Sequence, residues 1–184
     1  MGTRKYKLTD ETITIVRNGK EITLHRIEAL RDLAIAKAGD KGGFVESEAN
    51  LSHEGTCWIY GDAEVYGNAE VYGNATVLGY AEVYGNAEVY GNAKVFGYAK
   101  VFGYATVGGN ARVYGNAEVY DNAEVGDKAR IYDNAEVYGY AEIYGNAGIY
   151  GSAKVYGNSK VYGDTVLSKQ SSEGRNKSGL SNVE

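Results

Sequence analysis

From Tyr60 to Leu167 one six-residue phrase recurs eighteen times without a gap. Its typical form is Tyr-Gly-Asn-Ala-Glu-Val, as in Tyr66-Gly67-Asn68-Ala69-Glu70-Val71. A fixed short period decides the architecture before any local propensity does. Val65 and its equivalents are aliphatic and Ala63 and its equivalents are small. They stand two apart, so both point to one side of an extended strand. Gly67-Asn68 supplies the corner, because Gly and Asn tolerate the positive φ that a sharp bend needs. Three such sides close a triangular coil of 18 residues, and eighteen units give six coils. At the ~4.8 Å spacing of paired strands the prism is roughly 29 Å long. The expected fold is all-β, a single-stranded parallel β-helix with a small hairpin-containing N-terminal cap.

Three parts are expected: a cap over 1–56, the repeat over 57–167, and a polar tail over 168–184. In the cap, Thr12-Ile13-Thr14-Ile15-Val16 alternates as a strand does, and Asn18-Gly19 precedes a second alternating run, Glu21 to Ile27. Asn-Gly between two such runs signals a hairpin. Ile27 to Ala38 reads as a short helix or an irregular crossing. Gly39-Asp40-Lys41-Gly42-Gly43 is a turn cluster. Apolar stacking then begins at Phe44-Val45 and Ala49-Asn50-Leu51, with Phe44 and Trp58 as expected plugs of the first coil. Ser168 to Glu184 lacks periodicity and aliphatic mass and reads as disordered.

Composition narrows the function classes. The single cysteine, Cys57, allows no intrachain disulfide, which suits a reducing cytosol. No apolar run approaches the roughly 20 residues that span a bilayer, and Met1 to Lys5 leads into a polar stretch, so the expected location is cytoplasmic. The net charge of -5 sits on the repeat: residues 57–167 hold seven basic and thirteen acidic residues. That argues against nucleic acid as the direct ligand, because phosphate binding draws on Lys and Arg.

The outside can be mapped by the period. One face is expected to stack Tyr60, Leu78, Phe96, Tyr114, Tyr132 and Tyr150 beside Glu64, Glu82, Lys100, Glu118, Glu136 and Lys154. A second stacks Tyr66, Tyr84, Phe102, Tyr120, Tyr138 and Tyr156 beside Glu70, Glu88, Thr106, Glu124, Glu142 and Lys160. The third stacks Tyr72, Tyr90, Gly108, Gly126, Tyr144 and Tyr162 beside Thr76, Lys94, Arg112, Arg130, Gly148 and Val166. On that map Gly108 and Gly126 open a gap in an aromatic column beside basic residues. Lys94, Gly108, Arg112, Gly126, Lys128 and Arg130 become a candidate site for an anion or an acidic partner. The stacked carboxylates Glu118 with Glu136, and Glu124 with Glu142, repel by ~1 kcal/mol per pair in water. They form a second candidate surface, unless salt screening and tyrosine stacking absorb the cost. Stacked tyrosines stabilise a sheet, and they are also common at interfaces. Association with a protein partner or a second copy is therefore expected, through the aromatic faces or the unpaired edge of the last coil.

The repeat resembles the left-handed β-helix of hexapeptide-repeat proteins. The stretch Gly39 to Glu46, with Asn50 to Gly55 and Cys57-Trp58-Ile59, resembles the cap-to-helix junction of a group of largely uncharacterised bacterial and prophage proteins, the YdcK-like type. These resemblances imply left-handed coiling and a cytoplasmic bacterial or phage source, and no settled activity. Many hexapeptide-repeat proteins are acyltransferases with a histidine base and a loop thrown out of the coils. This repeat has neither. The chain's two histidines are His25, in the hairpin, and His53, at the junction beside Glu54 and four residues before Cys57. His53 and Cys57 could form a base and nucleophile, but a corner-filling role fits a junction unit that is two residues longer than the rest. Two histidines cannot supply a three-histidine zinc site, and no cofactor is expected. Thr76 and Thr106, on different faces, do not form an ice-binding column.

The expected function is therefore a non-enzymatic protein-binding scaffold. A narrower version is a phage or prophage inhibitor of a host nucleic-acid-handling defence complex, with the acidic columns in part imitating a duplex. The alternatives are an acyltransferase-like enzyme and a structural assembly subunit.

Overall fold

The computed structural model describes residues 4–33 and 35–169. Three sheets form the sides of a parallel β-solenoid of about seven turns with an 18-residue spacing, the left-handed β-helix expected. Successive strands pair in parallel, position for position: Lys94 with Arg112, Glu118 with Glu136, Glu124 with Glu142. Ala and Val or Ile of each unit fill the interior from Ala63 to Val161, nearly all with no solvent exposure. Backbone N–H groups bond to the carbonyl of the coil that follows, as from Glu64 to Ala81 and from Tyr66 to Val83. Every coil thus satisfies the next.

The helix begins earlier than the repeat. Phe44-Val45, the end of β3 (Lys41–Val45), pairs in parallel with Glu64-Val65, and Leu51 bridges to Val71. Trp58 pairs with Thr76, so the two extra junction residues fall between 51 and 58, around His53. At the other end a strand runs on over Val166–Lys169, so Ser168 and Lys169 belong to the helix. The rest of the expected tail, 170–184, lies outside the described residues. The Ala column ends at Ser159 and Thr165, whose hydroxyls donate to the carbonyls of Tyr156 and Tyr162.

The hairpin is longer than the alternation indicates. β1 (Tyr6–Arg17) and β2 (Lys20–Ala29) pair around Asn18 and Gly19, both at positive φ, the geometry a two-residue turn requires. A register shift between Leu8 and Thr12 hides the first half of β1 from a period-two reading. β2 continues to Ala29, and the stretch after it holds turns and no helix among the described residues. The hairpin then curls over one side of the prism. Ile13, Ile15, Ile22 and Leu24 pack on Phe44, Tyr66 and Tyr84. Phe44 is therefore not a core plug; it lies outside the coil beneath the guanidinium of Arg26, 4.1 Å above its ring. Trp58 is fully buried, with Tyr6 edge-on at 6.3 Å.

Candidate functional site

The corner decides which outward residues share a side. Positive φ and the turn fall at Gly67-Asn68 and its equivalents, so each flat side runs from Ala to the following Tyr. Tyr66 therefore shares a side with Glu64, and Tyr72 with Glu70. The expected face map paired each aromatic column with the wrong neighbour. The hairpin face carries Glu64, Glu82, Lys100, Glu118, Glu136 and Lys154 beside Tyr66, Tyr84, Phe102, Tyr120, Tyr138 and Tyr156. A glycine face carries Glu70, Glu88, Thr106, Glu124, Glu142 and Lys160 beside Tyr72, Tyr90, Gly108, Gly126, Tyr144 and Tyr162. The basic face carries Thr76, Lys94, Arg112, Arg130 and Gly148 beside Leu78, Phe96, Tyr114, Tyr132 and Tyr150.

Gly108 and Gly126 are thus not beside Arg112 and Arg130, and they leave no open gap. A β-carbon on Gly108 would stand 2.3 Å from the ring of Tyr90, and one on Gly126 would stand 2.4 Å from that of Tyr144. The two rings lean inward from either side and cover the glycines. The hydroxyl of Tyr144 donates backwards to Glu124 at 2.7 Å, whereas Tyr72 donates forwards to Glu88. Burial, with Glu124 beside it, raises the Tyr144 phenol above the ordinary range.

The three lysines on the hairpin and glycine faces are all matched within the chain. Glu82 binds both Lys100 and Arg17, Glu136 binds Lys154, and Glu142 binds Lys160. Burial pushes the Glu82 carboxyl up, but bonds from Lys100 and Arg17 outweigh it and hold the group below the usual range. Bonding to Glu136 and Glu142 raises Lys154 and Lys160. Tyr120 and Tyr162 donate to Glu136 and Glu142 as well. Of the four acidic candidates only Glu118 lacks such a partner among the described residues; Glu124 holds Tyr144.

The basic face is the opposite case. Of the seven cations in the repeat, Lys100, Lys154 and Lys160 are ion-paired; Lys94, Arg112, Lys128 and Arg130 have no ion pair among the described residues. Lys94, Arg112 and Arg130 are exposed and stacked on adjacent strands. Lys128 stands at the corner of the same coil as Arg130. At one strand spacing each neighbouring pair repels by ~1 kcal/mol in water. Beside them runs a ladder of rings, Phe96, Tyr114, Tyr132 and Tyr150, at centroid distances of 4.8 to 5.0 Å and nearly parallel. Tyr80 and Tyr98 occupy the far corner, stacked at 5.2 Å and more than half exposed. These corner tyrosines are missing from the sequence map, although Tyr in place of Asn after Gly79 and Gly97 marks them.

The only pair of nucleophile and base raised by the sequence is built into the cap. Cys57 is fully buried, and Lys5 Nζ donates to its Sγ at 3.0 Å and to its carbonyl at 2.8 Å. Burial lowers the Lys5 ammonium from its ordinary range. His53 stacks on Tyr6 at 4.4 Å, accepts the Lys5 backbone N–H at Nδ1, and has Nε2 3.8 Å from Glu48. Among the described residues no group of three or more His, Cys, Asp or Glu is set to hold a metal ion. No helix there is long and apolar enough to cross a membrane.

No family model matches the chain. A stretch of 61 residues is 38% identical to a protein of Escherichia coli (strain K12) named "Uncharacterized acetyltransferase YdcK". The chain thus folds as a β-helix of six-residue repeats, as hexapeptide-repeat proteins do. The match covers 31% of this chain and 19% of the YdcK protein, so it speaks for the repeat architecture and not for the activity of the whole relative. As a β-helix this chain offers three flat sides, of which the basic one stacks three cations on adjacent strands, Lys94, Arg112 and Arg130, with no ion pair among the described residues.

Proposed function

We propose that this hexapeptide-repeat protein is a non-enzymatic binding scaffold whose basic face docks an acidic surface of a protein partner. The observation that carries the reading is selective: the repeat matches three of its cations internally and leaves Lys94, Arg112, Lys128 and Arg130 without an acid among the described residues. Their mutual repulsion is relieved by a bound anion. Base stacking does not suit this face, because the rings of Phe96, Tyr114 and Tyr132 already spend their faces on one another. Ring edges carry partial positive charge, so the aromatic ladder adds to the attraction for carboxylates. A phage or prophage protein that imitates a duplex would rely on the acidic columns. Lys100, Lys154, Lys160 and Arg17 reduce the charge those columns present, so the proposal rests on the basic face.

Calorimetric titration with poly-L-glutamate tests it. The wild-type protein binds despite its net charge of -5, and binding weakens as salt rises. Arg112→Glu with Arg130→Glu abolishes it, while Glu118→Lys does not. Equal binding by the wild type and the double variant overturns the reading.

A second reading, acetyl transfer, draws on the partial likeness to a protein named as an acetyltransferase. His53 is its base. Hydrolysis or transfer from acetyl-coenzyme A that disappears in His53→Ala, with the fold intact, would favour it over the scaffold.

A further inference from the structure

The basic face does not run free along its whole length. At its N-terminal end the segment after β2 overhangs it. Leu33 N–H bonds to the Ala36 carbonyl at 2.7 Å, Ala38 N–H to Asp32 at 3.0 Å, and Lys37 N–H to Asp40 at 2.7 Å, and the described residues 35–38 form a wall beside the face. The hydroxyl of Tyr60 donates to the Ile35 carbonyl and pins it to the prism. Between wall and face lies a concavity of about 430 Å³, lined by Ile35, Tyr60, Leu78 and Phe96, with Thr76, Lys94 and Arg112 completing it. That volume falls in the range in which proteins hold small ligands or an anchoring side chain. The apolar lining sits at one end of the cation ladder, and Arg130 continues the ladder one strand beyond Arg112.

We infer that this cleft takes a bulky apolar side chain of an acidic, extended peptide segment, whose following carboxylates run along Lys94, Arg112 and Arg130. The inference rests on the basic face being the binding surface and adds an anchor to it. From Lys94 to Arg130 is two strand spacings, about 10 Å, which an extended chain covers in about three residues. The segment recognised therefore carries one large apolar residue and two or more acids within about four positions. Charge complementarity selects the acids; Ile35, over Leu78 and Phe96, selects the anchor. A polyanion without the anchor meets the ladder and leaves the cleft unfilled.

Two fluorescently labelled octapeptides test this by anisotropy. Both carry four glutamates; one has a leucine at the position where the other has glycine. The leucine peptide binds about tenfold more tightly to the wild-type protein, as burying one such side chain predicts. Ile35→Ser and, independently, Leu78→Ser reduce that preference to about threefold or less and leave the affinity for the glycine peptide in place. Arg112→Glu with Arg130→Glu weakens both peptides. If both peptides bind the wild type equally and both are lost in the arginine variant, the basic face stands as a binding surface and the anchor inference falls. If the leucine preference persists in both serine variants, the apolar contact lies elsewhere and the inference falls. If neither peptide binds, it falls together with the reading of the face. Self-association of the protein that consumes the face and excludes both peptides also overturns it.

Discussion

The ring of Tyr144 lies over the α-carbon of Gly126, 2.4 Å from where a β-carbon would stand. Tyr90 leans on Gly108 in the same way from the other side. What reads in sequence as a hole in an aromatic column is a place where two rings have swung inward. The backbone at these glycines is not in the left-handed region, so side chains are sterically possible once the rings move. Gly126→Ala therefore displaces Tyr144 from Glu124 and costs about 1 kcal/mol. Replacing both Gly108 and Gly126 by Tyr restores a continuous stack and returns at least that much. Thermal unfolding of the single and double variants checks the order.

Three consecutive corners of one coil carry aspartate in place of glycine. Asp121, Asp127 and Asp133 all adopt positive φ, and each carboxylate accepts the N–H of Gly139, Gly145 or Gly151 one coil on. At Asp127 that bond is 3.0 Å. Asp127→Ala keeps the backbone strain and loses the bond, costing about 1–2 kcal/mol. Asp127→Gly loses the bond and removes the strain, so it stays within about 0.5 kcal/mol of wild type. Chemical denaturation of the two variants gives the comparison, and Ala faring as well as Gly would contradict it.

Around Val113 the interior is alanine, valine and isoleucine, with no polar partner for a charge among the described residues. Val113, with no exposure among its stacked neighbours, becomes a stringent probe. Val113→Asp costs about 4 kcal/mol or more, and circular dichroism then shows loss of the cooperative unfolding transition.

Alkaline pH acts on the tyrosine columns. Burial raises Tyr66, Tyr72, Tyr84, Tyr120 and Tyr144 above the ordinary phenol value, and bonding to Glu142 raises Tyr162. The protonated form is favoured in the fold. Their contribution is fully present below the unfolded value of about 10 and is lost as pH rises above it. Lys5, lowered by burial, runs the other way, but it is one group against six. Urea midpoints measured at neutral pH and above about pH 10 fall in step with the appearance of tyrosinate absorbance. A midpoint that holds constant while tyrosinate forms would refute the linkage.

Much of this was legible in the chain. The 18-residue circuit followed from the six-residue period, and the pairing of Lys94 with Arg112 and of Glu118 with Glu136 bears it out. The same period places Lys100 above Glu82 and Lys154 above Glu136, so the internal ion pairs were within reach of the pattern. The face map slipped because each tyrosine was grouped across the corner that Gly67-Asn68 itself defines. The tilt of Tyr90 and Tyr144 had no one-dimensional signal; it depends on which way a ring falls when a neighbour is missing. The same is true of Ile35, whose place over Leu78 and Phe96 is set by a loop with no period at all. Residues such as Val95 answer to the repeat, and residues in the cap answer to long-range packing.

Nuclear magnetic resonance titration of the whole protein with oligoglutamate tests the central claim most directly. The account predicts that the largest shifts fall on Lys94, Arg112, Lys128 and Arg130 and on the ring edges of Phe96, Tyr114 and Tyr132, and that added salt reverses them. Shifts spread evenly over the hairpin and glycine faces, or absent from the basic face at low salt, would contradict it.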